Sequence, residues 1–211
     1  MSNLPKTKPV IGIVGGVGAG KSTAAAQFVR LGCRLIDADA IGHELLRQDD
    51  VKQLLRERWG PGILTSQGEI DRKALGDVVF DDKNKGELEA LNRIMQPRIG
   101  QRLLQEIQKL TEIPEIPAIV LDAAIMIEAG WDRFCTHVVF VEAPERVRAK
   151  RLAEGRGWSE HLWREREKSQ FSLDRKKQRC YFTINNSSSV SCLYEQVRDA
   201  LQQIVSSAGR S

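Results

Sequence analysis

Short apolar runs alternate with longer amphipathic stretches along the chain. Residues 9–14, PVIGIV, make a β-branched run with the length of a buried strand and no polar face. Residues 22–32, STAAAQFVRLG, have helical character and end on Gly32, a helix stop. CRLIDAD (33–39) predicts a second short strand that finishes in carboxylates. AIVLDA (118–123) and HVVFVEA (137–143) predict two more buried strands, and CYFTINN (180–186) a fifth. Helical patterns lie between most of them. Strands alternating with helices predict an α/β fold: a five-stranded, mostly parallel sheet with helices on both faces.

The strand signal stops between residues 40 and 117. DVKQLLRERWG, DRKALGDVVF and KGELEALNRIMQPRIGQRLLQEIQKL all predict helices there. This predicts a helical insertion at 40–117 within one domain, whose core is 9–39, 118–154 and 178–211. A second, charged insertion at 155–177 carries Trp158 and Trp163 but few other apolar residues to anchor it. NNSSSVS supplies a loop and an N-cap, and residues 190–205 the closing helix.

Composition narrows the class. The 211 residues are 41% hydrophobic and 28% charged, an ordinary globular balance. No apolar stretch reaches the ~20 residues of a membrane span, and the first residues have no apolar core of a signal peptide. Cys33, Cys135, Cys180 and Cys192 are scattered without a C-x-x-C pair, which predicts buried thiols in a reducing cytoplasm. The net charge of +4 is concentrated: residues 145–179 hold twelve Lys/Arg against six Asp/Glu, so the rest is slightly acidic. Such a segment is either a solvated helical hairpin or a surface for polyphosphate or nucleic acid.

The chemistry begins at GIVGGVGAGKST. Gly15-x-x-x-x-Gly20-Lys21-Ser22 fits the P-loop pattern, after a predicted strand and opening a predicted helix. A polyphosphate needs converging donors with no side chains in the way. The backbone amides of a Gly-rich loop and the positive end of the next helix supply them. Gly16, Gly18, Ala19, Gly20, Lys21, Ser22 and Thr23 are the candidate ATP contacts. Lys21 would reach the β- and γ-phosphates and Ser22 would ligate Mg²⁺. Asp39, at the carboxyl end of the second strand, is the candidate base for an acceptor hydroxyl. Asp37 or Asp39 could alternatively cap a helix starting near Ala40. Asp122 ends its strand where a carboxylate would hold Mg²⁺ or its water.

Two short patterns point elsewhere. Residues 39–42 match D-x-x-G and residues 84–87, NKGE, half-match the guanine-reading N-K-x-D of GTP switches. Asp39 follows Lys21 too soon for that arrangement, and NKGE opens a helix instead of following a strand.

GGVGAGKST, LIDADAI, RWGPGILTSQGEIDRKALGDVVF, LNRIMQPRI, EAGWD, PERVRAKRL and INNSSS occur in the order and spacing of dephospho-CoA kinases, which the chain resembles from about residue 10 to 205. The resemblance implies a P-loop kinase that moves the ATP γ-phosphate to the 3′-hydroxyl of dephospho-CoA, the last step of coenzyme A synthesis. By resemblance, Asp39 is the catalytic base and the helical insertion accepts dephospho-CoA. The 145–179 region contains a lid with Arg151 as its first arginine, followed by Arg156. It implies ATP and Mg²⁺, a cytoplasmic monomer or weak homo-oligomer, and no nucleic-acid or membrane partner. The chain departs from the family pattern at Gln96, at AAIMIEAGW and at Asn185, and no role is assigned to Gln96.

Overall fold

The computed structural model describes residues 8–81, 84 and 86–208; Lys85 of the NKGE stretch and the side chain of Arg156 lie outside what it describes. β1 (Val10–Gly15) is buried along its whole length. α1 (Lys21–Arg30) follows it, and α9 (Val190–Ala208) closes the chain. Ile11 and Ile13 join the core formed with Ala24, Phe28, Val197 and Leu201 of these two helices. Gly12 faces the other way. A Cβ there would stand 2.6 Å from Met126 Sδ and 2.8 Å from Cys135 Sγ. Both faces are covered, so the strand carries no polar side.

β1 lies at the centre of a five-stranded sheet in the order β2-β3-β1-β4-β5. The others are β2 (Arg34–Asp37), β3 (Ile119–Asp122), β4 (His137–Glu142) and β5 (Phe182–Asn185). All four pairings are parallel. The register sets Asp122 beside Ile13 on one side and beside Asp37 on the other. β2 and β5 are edge strands, each with one buried residue, Ile36 and Ile184. The buried fifth strand expected from CYFTINN is therefore half-exposed.

The chain forms two compact units. One contains the residues up to Asp37 and from Glu106 onward; the other is Ala38–Gln105. In the first, α6 (Glu145–Arg156), α7 (Glu160–Lys168) and α8 (Leu173–Lys177) follow β4. Ser159 and Ser172 cap α7 and α8, accepting from Leu162 N and Arg175 N. The charged segment is better anchored than its composition suggests. Trp163 of α7 is 2% exposed and packs with Val17 and Leu152. Lys176 of α8 is equally buried, paired with Glu128 at 3.1 Å and donating to Gln170 Oε1 at 2.7 Å.

The second unit holds α2 (Ala38–Leu45), α3 (Asp49–Trp59), α4 (Arg72–Val79) and most of α5 (Glu87–Thr111). Val51, Leu55, Ile63, Leu75 and Val79 are its buried apolar residues along α3, the following turn and α4. Asp71 caps α4 by accepting from Lys73 N (2.9 Å) and Ala74 N (3.1 Å). Trp59 Nε1 donates to Glu87 Oε2 at 2.7 Å and Arg58 pairs with the same carboxylate at 2.8 Å. Arg58, with help from Trp59, holds the Glu87 carboxyl below its usual range. The partial N-K-x-D motif thus ends in a carboxylate engaged within its own unit. α5 runs through Pro97, whose ring nitrogen cannot donate to the Arg93 carbonyl; Arg98 Nη1 donates to Ile94 O at 2.8 Å nearby.

Candidate active site

The turn after β1 has no bulky side chain on its inner curve. Ala19 N donates to Gly16 O at 3.1 Å, closing the loop, and Gly20 stands in the left-handed region at φ 86° as the residue before α1. A side chain at Gly20 would be strained there and would run into the Asn186 amide. No side chain caps α1, so its first amides face outward with the positive end of the helix behind them. Lys21 folds back over the loop, donating to Gly15 O and Gly16 O, both at 3.2 Å. Ser22 and Thr23 are exposed. These are the donors and the charge that a triphosphate needs.

The loop rests against α6 and the end of β5. Arg151 donates to Ala19 O (3.4 Å) and to Asn186 O (2.8 Å), and Asn186 Nδ2 donates to Ala19 O at 2.8 Å. Arg148, one turn earlier on α6, donates to Val17 O at 3.0 Å and pairs with Glu167 of α7. Its guanidinium lies 5.6 Å from the centre of the Trp163 ring. Sequence reasoning singled out Arg151 and missed Arg148, Asn186 and Glu167. The spacing of Arg148 and Arg151, one helical turn, was the available signal. Asn186 gave none, because its 5% exposure is set by a loop 167 residues away.

The carboxylates divide between the two units. Asp37 and Asp122 end adjacent strands at the carboxyl edge of the sheet, in register. Their carboxylates and the Ser22 hydroxyl are oxygen donors, the ligand type that suits a hard divalent cation retaining several waters. Among the described residues no group of three or more His, Cys, Asp or Glu side chains is arranged to hold a metal by itself. Asp39 is exposed in the first turn of α2, the start of the second unit. α2 begins at Ala38, two residues earlier than expected, so Asp39 lies inside the helix and not before it.

The cysteines split by environment. Cys33 is buried, and desolvation raises its thiol to about 11. Cys135 and Cys180, also expected to be buried, are half-buried, and desolvation raises both to about 12. Cys192, expected to be buried, is exposed in the first turn of α9.

Residues 9–191 match the family model for dephospho-CoA kinase. The chain belongs to the dephospho-CoA kinase family. A dephospho-CoA kinase of Aquifex aeolicus is 34% identical over 196 residues, covering 92% of this chain and 96% of its own. The crystal structure of TT1252 from Thermus thermophilus superposes with a TM-score of 0.79 at 28% identity, covering 93% of this chain and 97% of that one. A dephospho-CoA kinase from Campylobacter jejuni shares the fold, with a TM-score of 0.64 at 24% identity and coverage of 93% and 97%. The match to dephospho-CoA kinases runs through β1, the Gly-rich loop, α6 and α7, takes in Asn186 and stops early in α9. The five-stranded parallel sheet with flanking helices is that of P-loop kinases.

Proposed function

We infer that this chain transfers the γ-phosphoryl group of ATP to the 3′-hydroxyl of dephospho-CoA, as its family does. The observation that carries the reading is the loop itself: a glycine-rich turn at the head of an uncapped helix, with Lys21 folded over it. The family supplies the acceptor, dephospho-CoA.

In this reading the amides from Gly16 to Thr23 bind the phosphates, and Lys21 balances charge at the β- and γ-positions. Arg151, already beside the Ala19 carbonyl, stabilises charge on the transferring group. Asp39 orients the acceptor hydroxyl and takes its proton at a carboxylate oxygen. Ser22 and Asp122 would hold Mg²⁺, which neutralises charge on the phosphate oxygens when bound. The residues of 40–117 receive dephospho-CoA, and 155–177 acts as a lid that excludes water. The enzyme works in the cytoplasm as a monomer or weak homo-oligomer.

The basic segment favours this reading over nucleic-acid binding. Arg148, Arg164, Lys168, Lys176, Lys177 and Arg179 are each paired with a carboxylate of the same unit. Glu128, Glu142 and Asp132, outside the segment, pair with Lys176, Lys177 and Arg179 and offset half of its excess of six, which weakens the field it presents to a phosphate backbone. Among the described residues no helix is long and apolar enough to cross a membrane.

The test is ADP production from ATP with and without dephospho-CoA, with GTP as the control nucleotide. ADP release that requires dephospho-CoA is expected. Acceptor-independent GTP hydrolysis would instead favour a switch.

A further inference from the structure

We propose that Arg148 is a positioning residue for the phosphate loop, and that Glu167 and Trp163 of α7 hold it in place. The inference rests on the kinase reading for its meaning but on local geometry for its substance. Arg148 is 3% exposed, an unusual setting for a permanent charge. Its Nη1 donates to Val17 O at 3.0 Å, in the middle of the loop. The same atom would be 2.8 Å from a Cβ at Gly16, so the contact exists only because that position has no side chain. A Cβ at Gly18 would meet the Arg148 carbonyl and Leu152 Cγ, each at 2.9 Å. The outer wall of the loop is therefore laid directly on α6 at Arg148.

What keeps the guanidinium there comes from α7. Glu167 pairs with Nη1, and the indole of Trp163 stands within cation–π range. Trp163 also packs on Val17, the residue whose carbonyl Arg148 holds. Arg148 Nε is buried without a partner, so the arginine has little else to compensate its charge. One side of this cluster is the loop that receives phosphate; the other is the charged segment proposed as lid. Displacing Glu167 leaves Arg148 buried and unbalanced, and it must leave the Val17 carbonyl or draw in water. The shape of the loop thereby depends on where α7 sits. Arg148 touches no reacting atom in this account, and it is distinct from Arg151, which bonds Ala19 and Asn186.

The test measures ATP affinity by equilibrium titration, together with KM and kcat, for Arg148→Ala, Arg148→Lys, Glu167→Ala and Glu167→Gln. Glu167→Ala is expected to weaken ATP binding about tenfold. Glu167→Gln, which keeps an acceptor for Nη1, should stay within about threefold of wild type. Arg148→Lys should recover part of the loss seen in Arg148→Ala. The double variant Arg148→Ala/Glu167→Ala should bind ATP no worse than Arg148→Ala alone, since Glu167 acts through the arginine. KM for dephospho-CoA should move little. A lowered melting temperature with unchanged ATP affinity would mean a purely structural pair and overturn the proposal, as would additive losses in the double variant. If Arg148→Ala does not fold, the partly exposed Glu167 still gives the decisive comparison of alanine with glutamine. ATP binding needs no acceptor, so an enzyme that failed to phosphorylate dephospho-CoA would refute the functional reading without deciding this one.

Discussion

Asp37 and Asp39 are two residues apart and have different backbone settings, one ending β2 and the other inside the first turn of α2. If Asp39 is the base, Asp39→Asn should lower turnover by roughly 10²–10⁴-fold and barely alter ATP affinity. Asp37→Asn should have a smaller effect. Steady-state kinetics of both variants separate the roles, and normal turnover in Asp39→Asn with loss in Asp37→Asn would exchange them. The thiols make a second prediction at this scale. With Cys33, Cys135 and Cys180 raised to about 11–12, iodoacetamide at pH 8 should modify Cys192 quickly and the other three only on unfolding. Mass spectrometry of the labelled peptides checks this, and fast labelling of Cys33 would contradict its burial. Lys21, Ser22 and the loop glycines were legible from sequence because their chemistry is local: one turn, one helix start. Arg148 and Asn186 were not, because their partners lie 131 and 167 residues away.

Elements whose environment is uniform were the easiest to read. β1, β3 and β4 are apolar runs because both faces of the sheet are covered there. β5 was expected to be equally buried, but edge position is a property of strand order, which a single run of residues does not encode. The charged segment likewise hid its anchors: one tryptophan and one lysine make the buried contacts. Lys176 and Glu128 are the test. Their side chains are 2% and 14% exposed, and Glu128 Oε1 also accepts from Phe171 N at 2.7 Å. Lys176→Met should cost ~3–5 kcal/mol in urea denaturation by stranding the carboxylate, while Lys176→Met/Glu128→Leu should recover most of that. A loss under ~1 kcal/mol in the single variant would mean the pair is unimportant. If 155–177 is a lid, amide exchange across α7 and α8 should slow when ATP and dephospho-CoA are both bound, and unchanged protection would count against it.

Across the whole molecule the net charge of +4 is small, and at least six of the twelve Lys and Arg residues of 145–179 form ion pairs within their own unit. In the proposed mechanism the unit built on the parallel sheet carries the loop, Asp122 and Arg151, and Asp39 belongs to the first turn of the Ala38–Gln105 unit. The family and the α/β class were legible because the motifs are spread over nearly the entire length. The second unit stops at Gln105, within α5. The most direct measurement of the central claim follows the phosphorus atom. With γ-³²P-ATP and dephospho-CoA, the label should appear on the 3′-oxygen of the product in the wild-type chain and disappear in a folded Lys21→Ala variant. Label released as inorganic phosphate, or transfer that survives loss of Lys21, would contradict the account.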